Sequence, residues 1–301
     1  MIIINSQDCT TTKKGTGVLG CYQKLGQPSG FMEVDKTWSA NISSEELTLA
    51  YFQVEQQKGN FVPFFNATGF EDTSEESVFE TFTTGQKAKV RSGLPEFSFH
   101  YKNGYGWHSQ VYTHQGFNNK AIVLVWDNGV FGFEKDGDTI KGLERSYLEV
   151  KNFKNNDGTA SSSTMIAFQL SDAAMYNSSM ALIDDDTLDF TIKKVNGVVD
   201  YNVEFVSAPA DTDTTCQISV LAEINGSIFG AGLLATDMKI SGKTIDTIVA
   251  DTAGKFYTVT VDTAFVLGET HTPKLNDGTY DTVLVGEALY KGSGAEVTVT
   301  A

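Results

Sequence analysis

The segment from Gly93 to Phe133 constrains the fold of this chain more than any other part of the sequence. Its centre, Ala121–Trp126 (AIVLVW), is a run of six apolar residues that leads directly into Asp127-Asn128-Gly129. A short continuous apolar run bounded by turn residues is typical of a strand covered on both faces, and Asp-Asn-Gly favours a hairpin turn. We therefore predict a buried strand that returns across this turn as Val130–Glu134.

One helix is predicted ahead of this strand, over Tyr105–Gln115. Within it, Trp107, Val111 and Tyr112 fall on one face at helical spacing. By contrast, Leu47–Glu55 (LTLAYFQVE) alternates between apolar and polar residues and is predicted as a strand. The pattern therefore indicates a mainly β fold with one short helix.

Further hairpins are predicted wherever turn residues separate short apolar runs. The sequence predicts pairing of 86–91 with 96–101, of 140–153 with 163–170, and of 190–194 with 198–205. A helical turn is predicted at 172–177. Hairpin after hairpin favours an antiparallel sheet in this part of the chain.

A second domain is predicted from the even spacing of short strands and turns over residues 216–301. About seven short strands in a segment of this length are typical of an immunoglobulin-like β-sandwich. Residues 207–215 are small and polar and contain a proline, as a linker would. The predicted organisation is a β domain at 1–206, a linker at 207–215 and a small Ig-like sandwich at 216–301.

Two segments of the first domain stand apart from its strands. Residues 1–14 are predicted to form an extended arm that borders the compact domain. Residues 56–85 form a long loop with no sustained period, rich in phenylalanine and acidic residues. Because compact domains rarely keep such loops without a function, this loop either folds onto its own core or meets another subunit.

The charge balance excludes some classes of partner. The chain carries 22 basic and 38 acidic residues, a net charge of −16. Tight nucleic-acid binding needs clustered lysine and arginine, so it is not expected. No apolar run approaches the roughly 20 residues of a membrane helix, and Met1–Ile4 is too short for a signal peptide, so we expect a soluble cytoplasmic product with no membrane partner.

No motif for catalysis or a cofactor is evident, so we expect a non-enzymatic protein without a cofactor. Gly242-Lys243-Thr244 lacks the glycine of a phosphate loop, because Asp237 stands five residues earlier. Paired glycosidase carboxylates stay open, since sequence gives no distance between side chains. Of the three cysteines, Cys9 and Cys21 form either a disulfide or, with Cys216, reduced thiols.

Two further groups have a functional and a structural interpretation. The acidic residues Asp184, Asp185, Asp186 and Asp189 are weak candidates for a calcium site, and a solvated loop is the alternative. The three tryptophans are candidates for a sugar-binding face, and core or subunit contacts are the alternative. They are Trp38, Trp107 and Trp126.

A resemblance to known proteins enters through a series of segments between residues 80 and 206. They are Gly85-Gln86-Lys87, the Gly93 turn, Phe97-Ser98-Phe99, the aromatic helix and AIVLVWDNGVFGF. In this pattern the chain resembles structural proteins of bacteriophage virions, most of all the tail tube proteins of long-tailed phages. Many of those proteins carry an immunoglobulin-like domain, which is similar to the predicted second domain.

The resemblance implies a homohexameric virion protein with a tail-tube-like β-sandwich or barrel as its first domain, made in the host bacterial cytoplasm. Its rings would stack into a tail tube. DNA would pass through its lumen during ejection without specific binding, and other tail proteins would be partners. The arm and the long loop would join the rings. The implied contact residues are Ile2, Ile3, Ile4, Phe61, Phe64, Phe65, Phe70, Glu71, Asp72, Glu75, Glu76 and Phe79. Rival interpretations are a capsid decoration protein, a ring of the head–tail connector, a carbohydrate-binding β-sandwich protein and an unrecognised hydrolase.

Overall fold

The computed structural model describes the backbone of residues 3–5 and, in full, residues 25–43, 45–116, 119–188, 190–222, 232–251, 253 and 255–301. The chain divides into two compact units. The first comprises Met1–Glu55 and Gly59–Val195, and the second comprises Gln56–Lys58 and Asn196–Ala301. The prediction of a mainly β chain is confirmed.

Most of the described strands belong to the first unit. They are β1 (Ile3–Asn5), β2 (Pro28–Asp35), β3 (Ser39–Asn41), β4 (Phe61–Phe64), β5 (Gly69–Asp72), β6 (Val78–Thr81), β7 (Lys87–Arg91), β8 (Glu96–Tyr101), β9 (Lys120–Trp126), β10 (Val130–Asp136), β11 (Thr139–Lys141), β12 (Leu143–Val150), β13 (Thr164–Leu170) and β14 (Met180–Asp184). The helices of the described chain are α1 (Leu49–Gln57), α2 (Gly104–Val111) and α3 (Ala173–Asn177), with short 3-10 segments at Tyr112–His114, Asp185–Thr187, Ile192–Lys194 and, in the second unit, Ala235–Asp237.

Strand β9 lies at the centre of the first unit, as its continuous apolar run predicts. It pairs with β2, with β10 and with β12. One branch of the sheet continues from β12 through β13 and β8 to β5, and the other continues from β10 through β14 to β1. The predicted hairpin across Asp127-Asn128-Gly129 is confirmed as β9–β10.

Alternate residues of β9 enter two different hydrophobic cores. Ala121, Val123 and Val125 face one core, together with Trp38, Phe52 and other buried residues. Ile122, Leu124 and Trp126 face the other core, which is rich in phenylalanine. Because side chains of a strand point alternately to opposite faces, an uninterrupted apolar run is what a doubly covered strand requires.

The other predicted hairpins of the first unit have mixed outcomes. The β12–β13 pair confirms the predicted hairpin of 140–153 with 163–170. The predicted pairing of 86–91 with 96–101 is wrong. Strand β7 pairs with β6, which precedes it in the chain, and β8 pairs with β13 and β5. The turn that reverses the chain therefore lies before β7 rather than after it.

The helix predictions for the first unit are confirmed, whereas one predicted strand is a helix. The helix predicted at 105–115 is confirmed as α2 with its 3-10 extension, and α3 confirms the helical turn. The strand predicted at 47–55 is wrong, since α1 occupies Leu49–Gln57. The hydroxyl of Thr48 accepts a hydrogen bond from the Tyr51 amide at 3.2 Å, and such a cap at the first turn favours a helix over a strand.

The described residues of the second unit form ten strands. They are β15 (Val198–Phe205), β16 (Thr215–Ala222), β17 (Met238–Ile240), β18 (Ile245–Asp251), β19 (Phe256–Val261), β20 (Thr270–His271), β21 (Pro273–Leu275), β22 (Val283–Val285), β23 (Ala288–Ser293) and β24 (Val297–Thr298). Eight of them form one sheet, whose main path runs β17-β21-β23-β15-β16-β19-β18. A buried core that includes Val203, Ile218, Tyr257 and Leu275 covers one side of it.

The boundary between the units differs from the predicted one at 206. Strand β15 pairs antiparallel with β16 and parallel with β23, so its residues belong to the second sheet. The predicted pairing of 190–194 with 198–205 is therefore wrong, and Ile192–Lys194 forms a 3-10 turn instead. Residues 207–215 consequently join two neighbouring strands of one sheet and do not link two domains.

Candidate functional site

A two-stranded hairpin, β6–β7, is the most exposed structured feature of the first unit. Its strands pair antiparallel from Val78 to Arg91, and in the described part of the chain they pair with no further strand. The turn is closed by two backbone hydrogen bonds, from Phe82 to Gln86 and from Gly85 to Phe82, both at 2.8 Å. Gly85 has a φ of +81°, a conformation that favours glycine.

The hairpin exposes large apolar side chains. Phe79 is 54% exposed and Val90 is 62% exposed, and Val78 and Phe82 are exposed as well. Single exposed apolar residues are common on protein surfaces, but four on the two faces and turn of one small hairpin favour an interaction surface. An isolated two-stranded hairpin is also only marginally stable in water. Both facts favour a hairpin that is covered by another chain.

The two faces of the hairpin differ in chemistry. Phe79 lies opposite Lys89 and Thr81 lies opposite Lys87, so one face combines an aromatic ring with two ammonium groups. Glu80 lies opposite Ala88 on the other face. Among the described residues, Lys87 and Lys89 have no ion-pair partner, so both charges are available to a partner molecule.

The base of the hairpin is fixed to the body of the unit. A Cβ atom on Gly93 would lie 1.7 Å from the carbonyl oxygen of Glu75, so only glycine fits there. The amide of Glu75 donates to the carbonyl of Leu94 at 3.1 Å, and Nη1 of Arg91 donates to Oε2 of Glu75 at 2.9 Å. The hairpin therefore projects from a defined base.

The structure divides the predicted contact residues into groups. Phe61 and Phe64 are corrected, because their side chains are buried in the two cores of their own unit and are not available to a neighbour. Phe65 and Phe70 are partly buried against the same cores. The exposed members are Glu71, Asp72, Glu75, Glu76 and Phe79.

The predicted arm lies largely outside the description given by the structure. Ile2 is outside the described residues, as is most of the segment 1–14. The backbone of Ile3 and Ile4 belongs to β1, which pairs antiparallel with β14 of the same chain. The first part of the arm is therefore an edge strand of its own sheet.

Three of the four acidic residues predicted as candidate calcium ligands lie close together in the structure. Ligand atoms of Asp184, Asp185 and Asp186 lie within 4.8 Å of one another, and Asp189 lies outside the described residues. Asp185 is buried and accepts a hydrogen bond from the Ile192 amide at 3.0 Å. Burial raises the pKa of Asp185, with this hydrogen bond acting in the opposite direction. These bonds give the carboxylates a role in shaping the loop.

A buried ionic group in the first unit was not predicted. Nη2 of Arg145 donates to Oε1 of Glu33 at 3.1 Å, and Nδ1 of His114 lies 3.1 Å from Oε2 of the same carboxylate. Glu33 is 2% exposed. Burial lowers the pKa of Arg145, while the neighbouring carboxylate raises it. Glu33 lies on β2, Arg145 on β12 and His114 in the 3-10 turn after α2. Their contacts therefore link these three elements, which is a structural role.

The tryptophans and Cys216 are wholly or partly buried, which gives them structural roles. Trp38 and Trp126 are core residues, and Trp107 is partly buried against the second core, so they do not form a sugar-binding face. Cys216 is a free buried thiol whose pKa is raised by burial to about 12, and Cys9 and Cys21 lie outside the described residues.

Comparisons with known proteins do not assign the chain to a family. No protein-family model matches it, and no curated protein matches it significantly. None of the helices in the described part of the chain has the length and apolar character needed to cross a bilayer.

Proposed function

We propose that the chain is a self-assembling structural subunit, and specifically the tube subunit of a long-tailed bacteriophage tail. In this proposal identical copies form rings, the rings stack, and DNA passes through the lumen during ejection. The β6–β7 hairpin is the element that meets a neighbouring copy. The resemblance of residues 80–206 to tail tube proteins supplies the specific identity, and the surface of the hairpin supplies the physical reason for assembly.

The observation that carries the proposal is the exposure of Phe79, Phe82 and Val90 on a hairpin that pairs with no other strand of the described chain. Covering such side chains is favourable by about 25 cal/mol per Å² of apolar surface removed from water. A neighbouring copy that covers the hairpin would stabilise both the contact and the hairpin itself. The ammonium groups of Lys87 and Lys89 would orient the contact between copies by pairing with acidic side chains of the neighbour. Such side chains are abundant on a chain of net charge −16.

The margins of the large sheet support the same proposal. Strand β5 pairs only with β8, and β1 pairs only with β14, so each has one unpaired side among the described strands. Exposed strand edges are sites of pairing with other chains unless they are blocked or covered. Assembly into a closed ring is one way to cover them.

The charge of the chain suits a conduit for DNA. A protein with 38 acidic and 22 basic residues offers few clustered cations to phosphate groups. A lumen lined by such a surface would not hold the passing DNA by phosphate contacts. This property separates the proposed role from that of a DNA-binding protein.

Electron microscopy of the purified full-length protein tests the proposal. Rings or tubes with six-fold symmetry are the expected result for the unaltered chain. The double variant Phe79→Ser/Phe82→Ser should fail to form tubes while it keeps its secondary structure by circular dichroism. Tyr105→Ser is the matched control, because Tyr105 is exposed in the same unit on α2 and not on the hairpin.

Other outcomes would point elsewhere. A protein that stays monomeric at high concentration would contradict the proposal. Rings of a different symmetry that do not stack, or binding to preformed capsids, would favour a connector or decoration protein. Equal loss of assembly in the Tyr105→Ser control would remove the hairpin from its proposed place in the contact.

A further inference from the structure

A cavity of about 740 Å³ lies in the second unit beside β17 and β21. Its lining includes Lys239, Ser241, Thr244, Thr272 and Lys274. Pockets that bind small molecules have volumes of roughly 300–1,000 Å³. The cavity is therefore large enough for a ligand the size of a sugar phosphate.

Two lysines of this lining face each other directly. Lys239 on β17 and Lys274 on β21 are register partners in the antiparallel pair. Side chains in this relationship share one face of the sheet, and like charges there destabilise it. Nζ of Lys274 lies 2.6 Å from Oδ1 of Asp281, whereas Lys239 has no ion-pair partner among the described residues. The pair is thus only partly neutralised.

The concentration of lysines here runs against the charge of the rest of the unit. Only five basic residues, all lysines, follow Val195 in the sequence, and Lys239, Lys243 and Lys274 all line this cavity. Nζ of Lys243 is held by the carbonyl oxygen of Ala264 at 2.6 Å and lies 3.4 Å from Glu269. Lys239 and Lys274 are therefore the two residues whose ammonium groups can reach a ligand.

The Gly242-Lys243-Thr244 turn borders the cavity without acting as a phosphate loop. The amide of Lys243 donates to the carbonyl of Ile240, and the amide of Thr244 donates to Oδ1 of Asp262, both at 3.1 Å. These donors are consequently not directed at a ligand. The Thr244 side chain also hydrogen-bonds the Asp262 carboxylate, so the hydroxyl group of Thr272 remains as a polar group that can complement the lysines.

We propose that this cavity binds a phosphate-type oxyanion, free or as the ester of a small sugar, between the ammonium groups of Lys239 and Lys274. An oxyanion with two negative charges would neutralise the cross-strand lysine pair and form charge-assisted hydrogen bonds with both residues. The ester's sugar would occupy the remainder of the cavity, where apolar side chains such as Ile245 lie beside threonine side chains. This site is independent of the assembly role, since it uses none of the hairpin residues.

Equilibrium dialysis of the full-length protein against glucose 6-phosphate, inorganic phosphate and glucose tests this proposal whether or not the protein assembles. Glucose 6-phosphate or inorganic phosphate should bind, and glucose alone should not. Lys239→Ala should weaken binding about tenfold or more, because it removes a charge-assisted contact. The matched control is Lys255→Gln, since Lys255 is an exposed lysine of the same unit away from the cavity lining.

A gain of binding provides a second and opposite test. Asp281→Asn removes the carboxylate that competes for Lys274, so this variant should bind the same probe more tightly than the unaltered protein. Tighter binding of glucose 6-phosphate than of inorganic phosphate would identify an ester as the preferred form, and equal binding would identify the free anion. No binding at millimolar probe, or equal weakening by Lys239→Ala and Lys255→Gln, would overturn the proposal.

Discussion

Glu33 and Arg145 form an ion pair at 3.1 Å in the interior of the first unit, with both side chains almost fully removed from water. Removing one partner of such a pair leaves an uncompensated charge in a medium that cannot solvate it. The pair therefore fixes β2 relative to β12, two strands that both pair with β9.

We expect Arg145→Met to lower the free energy of unfolding by about 3–5 kcal/mol, as measured by urea denaturation, because the buried Glu33 carboxylate then loses its guanidinium partner and keeps the contact with His114. Lys36→Met is the control, since Lys36 pairs with Glu144 at 3.1 Å on the surface and should lose only about 0–1 kcal/mol. The double variant Glu33→Met/Arg145→Met should recover part of the loss. A single Arg145→Met variant as stable as the control would contradict this account of the pair.

Replacement of Gly93 tests the base of the hairpin. Gly93→Ala would place a Cβ atom 1.7 Å from the carbonyl oxygen of Glu75, so the segment must shift and loosen the hairpin. Limited trypsin digestion should then cut faster after Lys87, Lys89 and Arg91. Gly106→Ala has open space around its new methyl group and should leave the digestion rate unchanged. The same rate in both variants would show that the base does not hold the hairpin.

The stability of the chain should respond to pH through Asp185. Because burial raises its folded-state pKa above the unfolded value, the native state holds the proton over a window in which the unfolded state has lost it. Its contribution therefore becomes less favourable as pH rises through that window, starting near the ordinary value of 3.8. Asp185→Asn should be relatively more stable at pH 7 than at pH 3, each compared with the unaltered protein at the same pH. A stability difference that does not change with pH would contradict the raised pKa.

Cys216 should be unreactive in the folded protein. Its thiol is buried and its pKa is raised to about 12, so little thiolate exists at pH 8. In a Cys9→Ser/Cys21→Ser background, a disulfide reagent added at pH 8 should label Cys216 only after denaturant is added. Rapid labelling without denaturant would place this thiol at the surface.

The parts of the fold that sequence predicted correctly are those set by local pattern. AIVLVW predicts a doubly covered strand because its period-two side chains are apolar on both faces, and β9 lies between two cores. The segment 47–55 was wrongly predicted as a strand because its apolar and polar residues alternate. The Thr48 hydroxyl caps the first turn of the helix that forms there, and this hydrogen bond favours the helix over a strand.

Partner choice between strands was beyond the sequence. The residues of β7 form a strand as predicted, yet they pair with β6 rather than β8, because Phe97 and Phe99 of β8 are drawn into the second core. The long loop 56–85 contained both of its predicted alternatives. Phe61 and Phe64 pack into cores of their own unit, while Phe79 and Phe82 remain exposed on the hairpin.

Residue type and short-range spacing were enough to predict the mainly β class, the central buried hairpin and the acidic character. The contact of Glu33 with Arg145, the pairing of Lys239 with Lys274 and the exposure of particular phenylalanines followed from the folded structure alone. These relationships join residues far apart in the chain. They depend on strand register and core packing, which a single-residue shift reverses and which no local pattern encodes.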